Sequence, residues 1–144
     1  MSLSHIRFGA RTGVFLVWLP IALRLRTLPR FLERTARVNQ RRERPGSVAL
    51  YRAFSIVLRV SELRIFELPL FPKACMRRSL ALYYALRRLG HEVEIHFGVR
   101  KDRTGLRAHS WVTLAGEPLG EQPQDAFQTI FSYPGSESKF LPVN

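Results

Sequence analysis

The segment Cys75–Glu121 has the clearest structural pattern in this chain: CMRRSLALYYALRRLGHEVEIHFGVRKDRTGLRAHSWVTLAGEPLGE. In its first part, steps of three and four residues separate the members of one helical stripe: Cys75, Ser79, Leu82, Leu86 and Leu89. Gly90 follows and suits the left-handed position that ends many helices. The sequence therefore predicts an α-helix over 75–89, with the only cysteine of the chain in its first turn.

Two strand patterns follow the predicted helix. Residues 91–100 alternate, with Val93, Ile95, Phe97 and Val99 on one face and Glu92, Glu94, His96 and Gly98 on the other. After a turn at Thr104–Gly105, the segment Ala108–Leu114 alternates as well, and one of its faces carries His109, Trp111 and Thr113. A third, short strand is expected to end near Glu121. The pattern predicts a small antiparallel sheet after the helix.

The first half of the chain predicts helices over Val14–Leu25, over Arg30–Arg44 and from Ser47 onward. The apolar run Val14–Leu23 is too short to span a bilayer, and Pro20 interrupts it. Arginine-rich sequence follows this run instead of a small-residue cleavage site, so we expect no signal peptide.

These patterns divide one α+β domain into two parts. Residues 1–66 form a basic, hydrophobic helical segment that packs on the core or docks partners. Residues 67–144 form the catalytic core, and its tail residues are expected to pack back on that core: Phe127, Ile130 and Phe131. A single cysteine excludes an internal disulfide framework, so we expect a cytoplasmic protein. The apolar first helix leaves membrane association open.

The charge of the chain is strongly positive, with a net charge of +12 and a pI of about 11.3. Thirteen Arg and three Glu between Met1 and Phe66 give +10, whereas the rest of the chain contributes only +2. Nucleic acid, anionic lipid and acidic peptides are therefore candidate partners of the first half. The second half has to be interpreted from its chemistry.

The order of a cysteine at a helix start, a histidine on a strand and an acid on the next strand is what thiol catalysis requires. The N-terminus of a helix favours the thiolate of Cys75, because unpaired N–H groups and the helix dipole stabilise an anion there. His109 can exchange protons with the sulfur and the leaving group, and a carboxylate can orient its ring.

The same residues resemble the transglutaminase-like cysteine peptidases of lasso-peptide biosynthesis, the B proteins that remove the leader of a ribosomally made precursor. The shared signatures are Cys-x-x-Arg-Ser-Leu-Ala-Leu from Cys75, Arg-Arg-x-Gly ending at Gly90, Gly-Val-Arg from Gly98, and Ala-His-x-Trp-Val from Ala108. A glycine before an acid, here Gly116 and Glu121, completes the pattern. The resemblance covers about 75–121, and the arginine- and leucine-rich helical first half is similar to the family too.

The resemblance implies a transglutaminase-like or papain-like fold, with Cys75 as nucleophile and His109 as general base and acid. The third position usually holds Asp in this family, and Glu121 stands there instead, so Asp125 remains open. No cofactor is implied. The implied partners are the precursor peptide, a separate leader-recognition protein and an asparagine-synthetase-like cyclase, because helices rather than a β-rich recognition module precede the cysteine.

Other interpretations of the same residues remain. The basic helices could serve a non-catalytic module that binds anionic lipid or nucleic acid, although with the triad present no nucleic acid partner is expected. The triad could equally transfer acyl groups to an amine. Four arginines suggest a solvated helix face: Arg77, Arg78, Arg87 and Arg88. Arg78 and Trp111 are also candidates for substrate binding, and His91 and His96 are not expected to share a metal ion.

Overall fold

The computed structural model describes residues 3–39, 50–120 and 127–134. Its elements, in chain order, are α1 (Leu3–Leu25), α2 (Leu28–Asn39), α3 (Leu50–Ser61), a short 3-10 helix (Arg64–Glu67), α4 (Ala74–Arg88), β1 (Val93–Asp102), β2 (Gly105–Leu114), β3 (Glu117–Pro118) and β4 (Gln128–Tyr133). The strands pair antiparallel in the order β3-β2-β1-β4. The α+β architecture predicted from the sequence is confirmed.

Helix α4 is the centre of the fold, because both the other helices and the sheet pack on it. Six of its apolar side chains are buried: Leu80, Ala81, Leu82, Tyr83, Ala85 and Leu86. From the sheet, Val93, Ile95 and Val112 join the same core, which α1 extends with Phe15, Leu16, Leu19 and Ala22. Burial of these side chains is the main favourable contribution to folding. The first half and the second half of the described chain thus share one core.

The end of α4 follows the sequence prediction. The helix stops at Arg88, and Gly90 adopts a φ of +87°, where a side chain would be strained. The N–H of Gly90 donates to the carbonyl of Arg87, and that of His91 donates to the carbonyl of Leu86. These bonds satisfy carbonyls that the last helical turn leaves without intrahelical partners.

Strands β1 and β2 form a long hairpin whose register runs from Val93 opposite Leu114 to Asp102 opposite Gly105. The Asp102 carboxylate closes the turn by accepting bonds from the Thr104 N–H (2.8 Å), the Thr104 hydroxyl (2.6 Å) and Arg107 Nε (2.7 Å). These bonds, those of Thr104 foremost, lower the pKa of Asp102 to about 2. Asp102 therefore has a structural role in the turn.

In the sheet and the tail, the structure differs from the sequence predictions as follows. Strand β2 begins at Gly105 rather than Ala108, because its pairing with β1 continues to the turn. The tail is expected only to pack on the core, but part of it forms a strand, β4, that pairs with β1. Phe131 packs against the core as expected, but Ile130 is 43% exposed.

Helix α1 is longer than predicted and runs through Pro20 without a break. The stretch His5–Leu25 is long and apolar enough to cross a membrane by length and composition, although core helices of soluble proteins pass the same test. In this fold 33% of its most apolar window is buried inside the protein. Val14–Leu23 alone is too short to span a bilayer, as predicted, but the helix that contains it is long enough. The predicted start of α3 at Ser47 lies outside the described residues.

Candidate active site

Cys75 is the second residue of α4, and its thiol is half-buried and not part of a disulfide. The N-cap residue, Lys73, makes no side-chain hydrogen bond to the first turn. Its backbone carbonyl accepts from the N–H of Arg77, which fixes the start of the helix. Cys75 thus stands at a helix N-terminus whose N–H groups and dipole favour a negative charge.

A buried hydrogen bond joins the first half of α4 to β2. Ser110 Oγ donates to Ser79 Oγ over 3.2 Å, and each serine is only 4% exposed. Cys75 lies one helical turn before Ser79, and His109 precedes Ser110 on the strand. The fold therefore joins α4, one turn after Cys75, to the strand that carries His109.

The side chain of His109 lies on the outer face of β2, because successive residues of a strand point to opposite faces and Ser110 points to α4. It is half-buried. Within the described part of the sheet, β3 pairs only with Thr113 and Leu114. His109 therefore lies on the part of β2 that has no described β3 residue beside it.

Two aromatic rings flank the imidazole of His109. The Phe127 ring centroid lies 5.2 Å away, and the Trp111 ring centroid lies 6.1 Å away at an angle of 20°. The guanidinium carbon of Arg100 lies 4.8 Å from the centroid of Phe127, so a cation covers the outer ring. These contacts restrict the rotation of the imidazole, which is the requirement for a positioned acid–base group.

On its other side, Trp111 stacks on His96, with ring centroids 5.5 Å apart and an angle of 14°. His96 Nε2 lies 2.8 Å from Thr113 Oγ1, which fixes the second ring in turn. Burial lowers the pKa of His96, and the carboxylate of Glu94 opposes this effect in part. The outer face of the sheet thus holds a row of stacked side chains that runs from Arg100 to His96, with His109 inside it.

Gly98 makes room for this row. It lies directly opposite His109 on β1, and a Cβ atom there would be 2.9 Å from Cη2 and Cζ3 of Trp111 and 3.1 Å from the carbonyl oxygen of Gln128. The two 2.9 Å separations are shorter than Cβ contacts in proteins, so the indole would have to move, whereas the carbonyl contact at 3.1 Å is only tight. The glycine of the Gly-Val-Arg signature is therefore explained by the position of the tryptophan.

Arg77 has a role that the sequence prediction missed. It is 6% exposed, so the predicted solvated face is wrong at this position. Arg77 Nε donates to the carbonyl of Ser61 (2.8 Å), and Nη1 donates to the carbonyls of Phe66 and Pro72. Burial lowers the pKa of Arg77, yet a guanidinium keeps its charge at neutral pH. Arg77 therefore fixes the chain that leads into the turn of Cys75.

Arg78, by contrast, is partly exposed and pairs with Glu62 at the end of α3, with Nη2 and Oε1 3.4 Å apart. The contact is an exposed ion pair of modest strength. Nothing in the sequence pattern separates Arg77 from its neighbours. Only its place in the helix, facing the segment 61–72, shows that it is buried.

The third member of the predicted triad lies outside the described residues, for Glu121 as well as for Asp125. Within the ranges that the structure describes, no three His, Cys, Asp or Glu side chains come close enough together to hold a metal ion. The placed members are thus Cys75, His109 and the candidate binding residues Arg78 and Trp111.

One comparison with known protein families gives a match. A family model described as the transglutaminase-like superfamily matches residues 15–132. The chain belongs to the transglutaminase-like superfamily. The matched range begins within α1 and ends within β4, so it includes the helices before α4 as well as Cys75 and His109. No curated protein and no solved structure gives a significant match.

Members of the transglutaminase-like superfamily are typically cysteine-dependent enzymes, and they include cysteine peptidases and acyltransferases. The fold class inferred from the sequence is therefore confirmed. The choice between these reactions, and the particular substrate, depend on details of the site beyond the family.

Proposed function

We propose that this transglutaminase-like protein is a cysteine peptidase that removes the leader from a ribosomally made lasso-peptide precursor. The observation that supports the proposal most is the Ser79–Ser110 bond, because it joins α4, one turn after Cys75, to the strand that carries His109. The ordered signatures between residues 75 and 121 add the substrate class through the lasso-peptide resemblance.

In the proposed reaction, the Cys75 thiolate attacks the carbonyl carbon of the bond between leader and core. The backbone N–H of Cys75, at the start of α4, helps to stabilise the oxyanion. Protonated His109 gives its proton to the leaving amine, which leaves a thioester. His109 then takes a proton from water, the hydroxide attacks the thioester, and the carboxylate product leaves the regenerated thiolate.

The mechanism requires the imidazole of His109 to approach the sulfur past the edge of β2. Trp111 and Phe127 hold the ring on the outer face, and the described part of β3 does not extend beside it. Glu121 is proposed to orient the ring, with Asp125 as the alternative. Arg78 and Trp111 are proposed to contact the bound peptide.

The proposed partners are a separate leader-recognition protein and an asparagine-synthetase-like cyclase, and the proposed location is the cytoplasm. Residues 1–66 would provide the docking surface for partners or for a membrane. An acyltransferase differs only in the last step, where an amine rather than water attacks the thioester. A non-catalytic basic module would bind its ligand independently of Cys75.

The test mixes the protein with the precursor and the recognition protein encoded beside it, and follows leader release by mass spectrometry. We expect free leader and free core with the natural protein and none with Cys75→Ala. Addition of a primary amine separates the two reactions, because an acyltransferase would yield a leader amide, heavier than the hydrolysed leader by the mass of the amine less that of one water. Intact precursor with the natural protein, or unchanged cleavage by Cys75→Ala, would overturn the proposal.

A further inference from the structure

A groove of about 470 Å³ lies between α1, α2 and α4, at a distance from the candidate active site. Its floor is aromatic: Phe15 stacks on Tyr84 with ring centroids 4.0 Å apart, and Phe31 lies 5.9 Å from Phe15. Trp18, 45% exposed, lies 6.4 Å from Phe31 and forms part of the wall. This volume is in the range of about 300–1,000 Å³ that is usual for ligand pockets.

The rim of the groove is positively charged. No acidic residue is among the described residues of its lining, which includes four arginines: Arg11, Arg26, Arg34 and Arg88. Arg88 is held over Tyr84, with its guanidinium carbon 5.6 Å from the ring centroid and Nη1 3.2 Å from the hydroxyl. Neither of the two ion pairs formed among the described residues involves a rim arginine. The rim thus concentrates positive charge, which attracts an anion.

The groove is separate from the catalytic residues. Tyr84 and Arg88 belong to the last two turns of α4, whereas Cys75 belongs to the first. At 1.5 Å per residue, the distance along the helix between Cys75 and Arg88 is about 20 Å. A ligand in the groove can therefore be bound without contact with the sulfur.

We propose that this groove binds an acidic peptide segment, which inserts one large apolar side chain against the aromatic floor and pairs its carboxylates with the rim arginines. The recessed floor and the ring of cations match such a segment in shape and in charge. The inference goes beyond the proposed peptidase activity, because binding requires neither Cys75 nor His109. The segment is assigned to a partner protein, because the groove lies about 20 Å along α4 from the sulfur that a substrate has to reach.

Two other macromolecules fit the groove less well. A membrane would contact the outward stripe of α1, where Val17, Ile21 and Leu25 are exposed, rather than a concave floor. Single-stranded nucleic acid binds by stacking bases on open aromatic faces, but Phe15 and Phe31 are only 6% and 3% exposed.

The experiment measures binding of labelled, acetylated peptide amides to the full chain carrying Cys75→Ala, by fluorescence anisotropy. The probe is Glu-Glu-Leu-Phe-Glu-Glu, and its controls are Gln-Gln-Leu-Phe-Gln-Gln and Glu-Glu-Ala-Ala-Glu-Glu. We expect the probe to bind best, since it alone combines the charge and the apolar side chain. Its affinity should fall as salt is raised, because exposed ion pairs are screened.

The decisive variant is Arg26→Gln with Arg34→Gln, and the matched control is Arg64→Gln with Arg103→Gln, which removes the same charge from exposed positions outside the groove. The rim variant should weaken binding by about fivefold or more, as expected for the loss of two ion pairs of about 0.5–1 kcal/mol each. The control pair should change it by less than about twofold. Trp18→Ala should weaken the probe and leave the Ala-containing peptide unchanged.

Equal effects of the two arginine pairs, or equal binding of the Gln peptide, would overturn the proposal. So would the absence of peptide binding together with binding to vesicles of phosphatidylglycerol, which would assign the cations to a membrane. Circular dichroism and thermal unfolding of each variant establish that it is folded. Since the readout is binding by a protein without Cys75, failure here leaves the peptidase proposal standing, and failure of cleavage leaves the groove proposal standing.

Discussion

Gly98 lies so close to the indole ring of Trp111 that a Cβ atom at position 98 would collide with the ring. A Cβ atom on Gly98 would lie 2.9 Å from two atoms of the indole ring, which stacks between His96 and His109. Because Gly98 has no side chain, Trp111 can stack against His109, the candidate catalytic histidine.

We predict that Gly98→Ala displaces Trp111 and lowers the free energy of unfolding by about 1–3 kcal/mol, the usual cost of overpacking. Cleavage should fall as well, because His109 loses a fixed neighbour. Urea denaturation and the leader-release assay measure the two effects. Gly13→Ala is the matched control, since a Cβ atom there would meet only a side chain 3.8 Å away and a helix favours alanine. A Gly98→Ala protein as stable and active as the natural one would contradict the prediction.

We predict that Arg77→Leu lowers the free energy of unfolding by about 3 kcal/mol, because the buried carbonyls of Ser61, Phe66 and Pro72 lose a charged donor. Arg78→Leu makes the same substitution at the next position and removes only an exposed ion pair, so it should cost less than about 1 kcal/mol. Equilibrium denaturation of both variants provides the comparison. Similar losses in the two would show that Arg77 is not the internal support inferred here.

Acidification should destabilise the protein through His96. Burial lowers the pKa of this histidine in the fold, whereas the unfolded chain binds the proton near pH 6.5. Between the two values the unfolded state holds more protons, so the free energy of unfolding falls as the pH falls from about 6.5 toward the lowered pKa. Above pH 6.5 this contribution is fully present.

The measurement is the thermal midpoint between about pH 5 and 8 for the natural protein and for His96→Gln. The acid-dependent decrease should become smaller in His96→Gln. An equal decrease in the two proteins would contradict the assignment of the pH dependence to His96.

The identity of the triad acid can be settled by two isosteric substitutions. Because the orienting carboxylate stabilises the imidazolium, its amide should reduce kcat by about 10²-fold or more, as is usual when a positioned acid–base group is impaired. We expect this loss for Glu121→Gln and near-natural activity for Asp125→Asn. Single-turnover leader release measures both, and the reverse result would assign the role to Asp125.

The motif-bearing elements could be predicted closely from local pattern. Steps of three and four residues identified α4, Gly90 ended it, and alternation identified β1 and most of β2. Such patterns are visible because the apolar spacing of a helix or strand is written in adjacent residues. Strand β4 was missed, because it carries three exposed residues and is stabilised mainly by pairing with β1, far away in the chain.

The arginines of α4 show the same limit. Arg77 and Arg78 are adjacent and chemically identical, yet one is buried against three carbonyls and the other forms an exposed ion pair. Helical geometry turns neighbouring positions by about 100°. Which side is buried depends on where the segment 61–72 returns, and that is a property of the packed fold.

The sequence by itself determined the helix that carries Cys75, the hairpin that carries His109 and the family signatures around both. Only the tertiary structure decided that Ser79 and Ser110 join these elements, that a row of stacked rings holds His109, and that four arginines surround an aromatic groove at the other end of α4. The physical reason is that short-range periodicity fixes which face of an element is apolar, whereas contacts between elements depend on how the buried faces pack together.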